Sequence, residues 1–169
     1  LIITLAVLVY KHDNTEFAQL TGYAFLDIVL NEKKRNLYKL MTQLDKVSGE
    51  HKVLIDLQLP VHNTTYPLDA MLIHESGIYI INSVKKTGWI LGNEEQAEWI
   101  EIKHKEKQEA FPNPTTVNKR IILALKDLLP EVNGDAYEAI SLFSDACSFQ
   151  KVEIHSPNME VMKKNELKL

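Results

Sequence analysis

The spacing of apolar residues changes from a helical pattern to a strand pattern, and this change constrains the fold most. Over residues 30–47 the apolar residues recur every three or four positions, which predicts a helix over about 32–47 that Gly49 ends. Over residues 53–59 they alternate with other residues, which predicts a strand that Pro60 stops. The chain is therefore expected to combine helices with a sheet.

The rest of the chain continues this mixture of helices and strands. Thr15 is predicted to cap a short helix that runs towards Gly22, and Asn113 with Pro114 begins a helix that ends before Pro130. Further strands are predicted at residues 68–74, 78–81, 89–91, 98–103, 139–143 and 151–155. This order predicts an α/β or α+β fold in which helices flank a central sheet.

Two polar segments are predicted to lie outside the sheet. Residues 62–67 are predicted to form a loop, and the mostly charged residues 103–109 a mobile excursion. The two tryptophans, Trp89 and Trp99, fall in predicted strands, and we expect both to pack within the sheet.

The composition narrows the class of protein. A chain of 169 residues fits one domain with its own core. Its single cysteine, Cys147, excludes an intramolecular disulfide and a zinc site built on several thiolates, and we expect it to be a packed residue. Nineteen Lys and Arg residues against 23 Asp and Glu residues give a net charge of −4. This balance does not favour general coating of nucleic acid, although it allows a local basic patch.

The first ten residues form an apolar run that sets residues 1–12 apart from a single domain at 13–169. The run is about half of the ~20 residues that span a bilayer. One interpretation is the end of a membrane anchor, with Tyr10 and Lys11 at the interface. A second is a buried strand or helix start, and a third is a segment that pairs with another chain in an oligomer. The expected location is membrane-associated or cytoplasmic.

Several stretches in the middle of the chain together resemble the nuclease-related domain, a branch of the restriction-endonuclease-like fold. They are LDAMLIHESGIYII at residues 68–81, GWILGNE at 88–94, Trp99, FPNP at 111–114, and TGYAFL at 21–26. The likeness covers most of residues 20–155. It implies an α/β domain whose central mixed sheet is flanked by helices, and it suggests a bacterial protein.

The resemblance also implies a chemistry. In this family one strand presents an Asp, the next presents Glu-x-Lys, and a helix contributes a further Glu. Glu and Lys two residues apart point to the same side of a strand. The carboxylates hold Mg²⁺ or a similar hard cation, which activates water for attack on a phosphodiester.

This sequence departs from the family at most of those positions. Asp69 occupies the Asp position and is the one expected metal ligand. The other positions are occupied by residues without charge: Asn82 for the Glu, Val84 for the Lys, Leu37 (after Asn36) for the helix Glu, and Val117 for a family Gln. One carboxylate and one amide bind a divalent cation poorly. The resemblance therefore implies a degenerate site and a non-catalytic binding or scaffolding module, with no cofactor expected.

The alternative is a Mg²⁺-dependent DNA endonuclease that uses Asp69 with relocated partners. Glu50, Glu75 and Lys85 are the residues that would have to converge on it. Lys85 is one residue beyond the family position, so we expect it on the opposite face of the strand unless a bulge intervenes.

A binding role directs attention to the basic residues. The candidates for contact with a phosphate backbone are Lys33, Lys34, Arg35, Lys85 and Lys86, with Lys103, Lys105 and Lys107 as further members. Solvated surface charge is the alternative interpretation. His74 is expected to be a hydrogen-bonded structural residue. The partner, protein or nucleic acid, is left open by the sequence.

Overall fold

The computed structural model describes residues 2–61, 64–104 and 107–167. The helices are α1 (Ile2–Asp13), α2 (Glu16–Thr21), α3 (Phe25–Leu30), α4 (Glu32–Leu44) and α5 (Pro114–Leu128). The strands are β1 (His51–Val61), β2 (Thr64–His74), β3 (Gly77–Val84), β4 (Trp89–Asn93), β5 (Glu98–Ile102), β6 (Gln108–Pro112), β7 (Tyr137–Phe143), β8 (Ser148–Glu153) and β9 (Met159–Lys163).

The strands form two mixed sheets. The larger has the order β1-β2-β3-β7-β9, antiparallel from β1 to β3 and parallel from β3 to β9. The smaller has the order β6-β5-β4-β8, with the one parallel pairing between β4 and β8. This confirms the predicted α/β class with a mixed sheet flanked by helices and is consistent with a restriction-endonuclease-like fold.

Helices cover both faces of the larger sheet. The buried residues of α4 pack on one face, with residues that include Val53, Leu72 and Ile140. The buried face of α5 packs on the other, with residues that include Leu68 and Ile80. The strands β2 and β3 therefore lie between α4 and α5 and contribute buried residues to both faces.

The predicted helix boundaries are supported by caps. Thr15 accepts a hydrogen bond from the amide of Ala18, and Gly22 follows α2 with φ of 69°, a conformation that glycine adopts readily. Asn113 accepts from the amide of Thr115, and Pro114 is the first residue of α5. The helix predicted over about 32–47 begins where α4 begins but extends past its end at Leu44, and Leu30, which was assigned to its apolar face, instead ends α3 and is exposed.

Three predictions about strands are wrong. Pro60 does not stop β1, because β1 is an edge strand, where a missing amide donor is tolerated. The loop predicted at 62–67 is a strand from Thr64 onwards, while His62 and Asn63 lie outside the described residues. The strand β9, which no pattern predicted, extends the sheet beside β7.

The prediction of a mobile, charged excursion over residues 103–109 is also wrong for its last two residues. Gln108 and Glu109 begin β6, which pairs with β5. The charges are compensated within the sheet, because Lys103 and Lys107 lie 2.6 and 3.2 Å from the carboxylate of Glu109. Lys105 lies outside the described residues.

The smaller sheet encloses a third core. Trp99 and Cys147 are buried in it, as predicted, together with Phe143. Trp89 was expected to pack in the same way, and this is wrong, since its side chain is 57% exposed.

The apolar N-terminal run forms α1, and its described residues 3–8 and Tyr10 are exposed. Burial within the domain's own core, one of the alternatives for this segment, is therefore wrong. No helix among the described residues combines the length and the apolar character that crossing a bilayer requires.

Candidate functional site

Asp69 lies where β2 and β3 separate. The two strands pair as an antiparallel ladder as far as Ala70 and Ile81. Beyond that pair, side chains replace the ladder: the Ser83 amide donates to Asp69 Oδ2 at 2.9 Å, and the Asp69 amide donates to Asn82 Oδ1 at 3.1 Å. The opening between the strands gives Asp69 access to a cavity.

This cavity has a volume of about 400 Å³ and lies between α4, the middle of β2 and the C-terminal end of β3. Its charged lining consists of two carboxylates, Asp69 and Glu32, and three lysines, Lys33, Lys85 and Lys164. Cations therefore outnumber anions around the one residue that matches the family's metal ligand.

Asn82, the residue at the family's Glu position, does not line this cavity. Asn82 Nδ2 donates to Asn118 Oδ1 at 3.0 Å, and Asn118 Nδ2 donates to Ser141 Oγ at 3.1 Å. Asn118 and Ser141 are both buried. Asn82 thus belongs to a polar network that links β3, α5 and β7.

The remaining family positions bring only apolar side chains. Val84 and Leu37 line the cavity, and Leu37 is also part of the core beneath α4. Val117 packs partly buried against the core on the α5 side. None of the three supplies an oxygen ligand or a charge to Asp69.

Lys85 differs from expectation, because it lines the same cavity as Asp69. The strand β3 ends at Val84, and the Lys86 amide donates to the Val84 carbonyl at 3.0 Å. The chain therefore turns at Lys85, and the alternation of side chains that governs a strand no longer applies to it.

The other proposed partners of Asp69 do not reach it. Glu50 and Glu75 meet at the end of the β1–β2 ladder where His51 pairs with His74, and there the Glu75 amide donates to the Glu50 carbonyl at 3.3 Å. His74 lies beside them and is hydrogen-bonded, with Nε2 2.9 Å from the Ser48 carbonyl, which agrees with a structural role.

The basic candidates fall into two groups. Lys34 and Lys86 are held by structural contacts: Lys34 lies 3.2 Å from Asp27, and Lys86 lies 3.0 Å from the buried carboxylate of Glu101. Arg35 donates to the carbonyl of Val29 at 2.8 Å, beside α3. Lys33 and Lys85 line the cavity. These two are the ones of the five candidates that line the cavity, and Lys33 is also paired with Asp56.

Lys33 is paired with Asp56, which also forms a partly buried hydrogen bond with Tyr23. Asp56, a non-glycine residue with φ of 51°, accepts from the hydroxyl of Tyr23 and lies 3.1 Å from Lys33 Nζ. The hydrogen bond to Asp56 and burial raise the pKa of Tyr23 to about 12. Burial would raise the pKa of Asp56, but hydrogen bonds from Tyr23 and Lys33 outweigh it and lower that pKa. The ionised Asp56 therefore holds Lys33 at the rim of the cavity.

A second cavity of about 630 Å³ continues the first. The two share Glu32, Asn36, Ser83, Ser144 and Lys164. The second adds Lys39 and Asp145 to the charged lining. We call the combined space the α4 cleft. Lys164 belongs to a short 3-10 turn after β9, and because that strand was not predicted, no sequence signal pointed to this residue.

The residues of the cleft do not fit Mg²⁺. Across the described ranges, no group of three or more His, Cys, Asp or Glu residues is placed to hold a metal ion. Mg²⁺ requires near-octahedral oxygen coordination. Here one oxygen of Asp69 already accepts from the Ser83 amide, and three lysines line the same cavity and would repel a divalent cation.

A comparison with known protein families identifies the family to which this domain belongs. The nuclease-related domain family matches residues 31–149. The chain belongs to the nuclease-related domain family. The match includes Asp69 and the four substituted positions, whereas α1, α2, α3, β9 and Lys164 lie outside it.

A relative is found among curated proteins. An uncharacterized protein of Bacillus anthracis is 29% identical over 108 residues, which is 63% of this chain and 49% of that protein. The chain thus spans about half the length of the relative that it matches.

Proposed function

We propose that this nuclease-related domain has lost phosphodiester cleavage and binds the phosphate backbone of a nucleic acid in the α4 cleft, held near a membrane by α1. The observation that carries the proposal is the composition of the cleft. Three lysines line the cavity of Asp69, and the family's second carboxylate position is occupied by Asn82, which is bonded to Asn118.

The loss of cleavage follows from the chemistry that the cleft lacks. Hydrolysis by this family needs a metal to activate water and to stabilise the charge that develops on phosphorus. Asp69 contributes one carboxylate, and the residue at the family's lysine position is Val84, which can neither donate nor accept a proton.

Binding of an anion follows from the cations that remain. Lys33, Lys85 and Lys164 line the first cavity, and Lys39 lines the second. These four lysines outnumber the three carboxylates that line the cleft (Glu32, Asp69 and Asp145), and lysines in a cleft can neutralise the charges of a phosphate backbone. The chain as a whole carries a net charge of −4, so binding is confined to the cleft.

The membrane part of the proposal rests on α1. Between Ile3 and Tyr10 the helix carries no charged residue, and Thr4 is its one hydroxylated aliphatic side chain. A helix that is apolar on all sides needs an apolar environment on all sides. The hydrocarbon region of a bilayer provides this environment.

The test is nucleic-acid binding measured by fluorescence anisotropy as a function of salt. The double variant Lys85→Gln with Lys164→Gln should weaken binding to labelled single-stranded and duplex DNA about tenfold or more, and should reduce the salt dependence by about two released ions. Lys151→Gln is the matched control, because Lys151 is exposed on β8. Equal affinity of the double variant and the control would refute binding in the cleft and direct attention to a protein partner.

A Mg²⁺-dependent endonuclease is the second candidate, and one observation favours it. Lys85 and Glu32 line the cavity of Asp69. These residues are the relocated partners that a working site would need.

A further inference from the structure

Exposed apolar side chains are concentrated at the N-terminal end of the described chain. Ile3, Leu5, Val7, Leu8, Tyr10, Leu20, Leu26, Val29 and Leu30 are all exposed. Large exposed apolar patches mark surfaces that bind a partner or a membrane. The patch extends beyond α1 and includes α3, which the membrane anchor considered above does not explain.

The exposed residues of α3 form one face. Leu26, Val29 and Leu30 are spaced three and four residues apart, so they lie side by side on the helix. They are 56%, 48% and 82% exposed, whereas Ile28 points the other way and is buried in the core. We call Leu26, Val29 and Leu30 the α3 face.

The C-terminal end of α1 packs against the start of α3. His12, near the end of α1, lies with its ring centroid 6.0 Å from that of Phe25 at the start of α3, and His12 Nε2 lies 2.7 Å from the Tyr23 carbonyl. α3 therefore begins beside the C-terminal end of α1.

Charged residues of both signs border this apolar surface: Asp13 ends α1 and Asp27 lies on α3, while two basic residues stand at its edges. Arg35 Nη1 donates to the Val29 carbonyl at 2.8 Å, which places the guanidinium at the C-terminal end of the α3 face. Guanidinium has five N–H donors and binds phosphate well. Lys11 follows Tyr10 at the end of α1. Apolar side chains bordered by such cations fit the boundary between acyl chains and anionic headgroups.

We propose that the α3 face inserts into the interface of an anionic bilayer beside α1, with Arg35 at the level of the headgroup phosphates. This inference rests on the membrane part of the proposed function and deepens it, because it adds a second contact that fixes how the domain lies on the membrane. Since α4 begins at Glu32, directly after α3, and Glu32 and Lys33 line the α4 cleft, the cleft opens close to the membrane surface.

A bilayer fits this surface better than a protein does. A helix that packs on a protein usually has one apolar stripe and a polar opposite face. Between Ile3 and Tyr10, α1 has no polar face, and Thr4 is its one polar aliphatic side chain. α1 is therefore suited to a uniform apolar medium, and we expect the α3 face, beside the end of α1, at the edge of the same medium.

The test places a fluorophore on the α3 face. Cys147 is buried, so Leu30→Cys provides one exposed thiol for labelling with nitrobenzoxadiazole in the full chain. Leu123→Cys is the matched control, because Leu123 is a leucine of α5 that is 62% exposed. Both labelled proteins are mixed with vesicles of phosphatidylglycerol and phosphatidylcholine, and flotation is measured in the same samples.

We expect both proteins to float, while emission from position 30 shifts to the blue and rises at least twofold and emission from position 123 stays unchanged. Val29→Cys gives a second position on the face if Leu30→Cys folds poorly. Arg35→Gln should weaken binding to anionic vesicles about fivefold relative to Lys151→Gln.

The experiment distinguishes failure of the α3 face from failure of the α1 tether. Flotation without a change at position 30 overturns the role of the α3 face and leaves the tether by α1 intact. Absence of flotation overturns both. A blue shift that grows with protein concentration in the absence of vesicles identifies a second copy of the chain as the occupant and overturns the bilayer.

Discussion

Glu94 joins three parts of the fold through one buried carboxylate, and its replacement by glutamine gives a prediction with a calculable size. The carboxylate follows β4, accepts from the amides of His155 and Ser156 at 2.7 and 2.8 Å, and lies 2.6 Å from Lys119 of α5. Burial alone would raise the pKa of Glu94, but Lys119 and the hydrogen bonds of the 155–156 segment hold it at about 2.

The lowered pKa sets the magnitude. A fall from 4.5 to about 2 corresponds to about 3 kcal/mol of interaction with the charged form. Glu94→Gln should therefore lower the free energy of unfolding by about 3 kcal/mol at pH 7, because Lys119 and two amides lose a charged acceptor. Urea unfolding followed by circular dichroism measures this loss, with an unchanged m-value as the check on a two-state transition.

The pH dependence tests the cause. Because the folded pKa is depressed, this stabilisation is present above about pH 4.5 and is lost as the pH falls towards 2. The difference between the wild type and Glu94→Gln should shrink over that interval. Glu95→Gln, at the exposed neighbouring position, is the control and should change stability by less than about 0.5 kcal/mol. A loss below 1 kcal/mol for Glu94→Gln, or a loss of equal size at pH 7 and pH 2.5, would refute this reasoning.

Further predictions concern the core and the cleft. Gly92→Ala places a methyl group in steric conflict with the ring of buried Trp99, so thermal unfolding should show a loss of stability of at least about 2 kcal/mol. Full stability of this variant would contradict the packing. Asn118→Ala leaves the side-chain amide of Asn82 without its acceptor, so urea unfolding should show a loss of about 1–3 kcal/mol in the free energy of unfolding, while DNA affinity stays unchanged. A loss of DNA affinity at unchanged stability would instead assign Asn118 to the cleft. Asp69→Asn removes a negative charge from the cleft and should raise DNA affinity in an anisotropy titration, whereas a large loss would indicate a metal-dependent contact.

The elements that the sequence predicted are those whose signals are local. The helix α5 begins at Asn113 and Pro114, and α4 shows a helical period, so each is specified by its own residues. The short strands β6 and β9 are specified by their neighbours in the sheet. Glu109 of β6 is accommodated because its charge meets Lys103 across the β5–β6 connection, a contact that no pattern in the strand itself reveals.

In the candidate site, too, the sequence identified some residues and missed others. Asp69 was identified through the resemblance, and the structure places it at the opening between β2 and β3. Lys85 was expected on the wrong face because the turn after Val84 depends on where β3 ends. Lys164 reaches the cleft from the far end of the chain, so its role depends on tertiary structure alone.

The most direct test of the central claim is nicking of supercoiled plasmid and cutting of single-stranded DNA by the purified chain with Mg²⁺ or Mn²⁺, beside Asp69→Ala. A domain that binds in the α4 cleft without a metal site should leave both substrates intact at high protein concentration while anisotropy shows binding. Metal-dependent cutting that Asp69→Ala abolishes would contradict the account. It would establish a working nuclease built on Asp69.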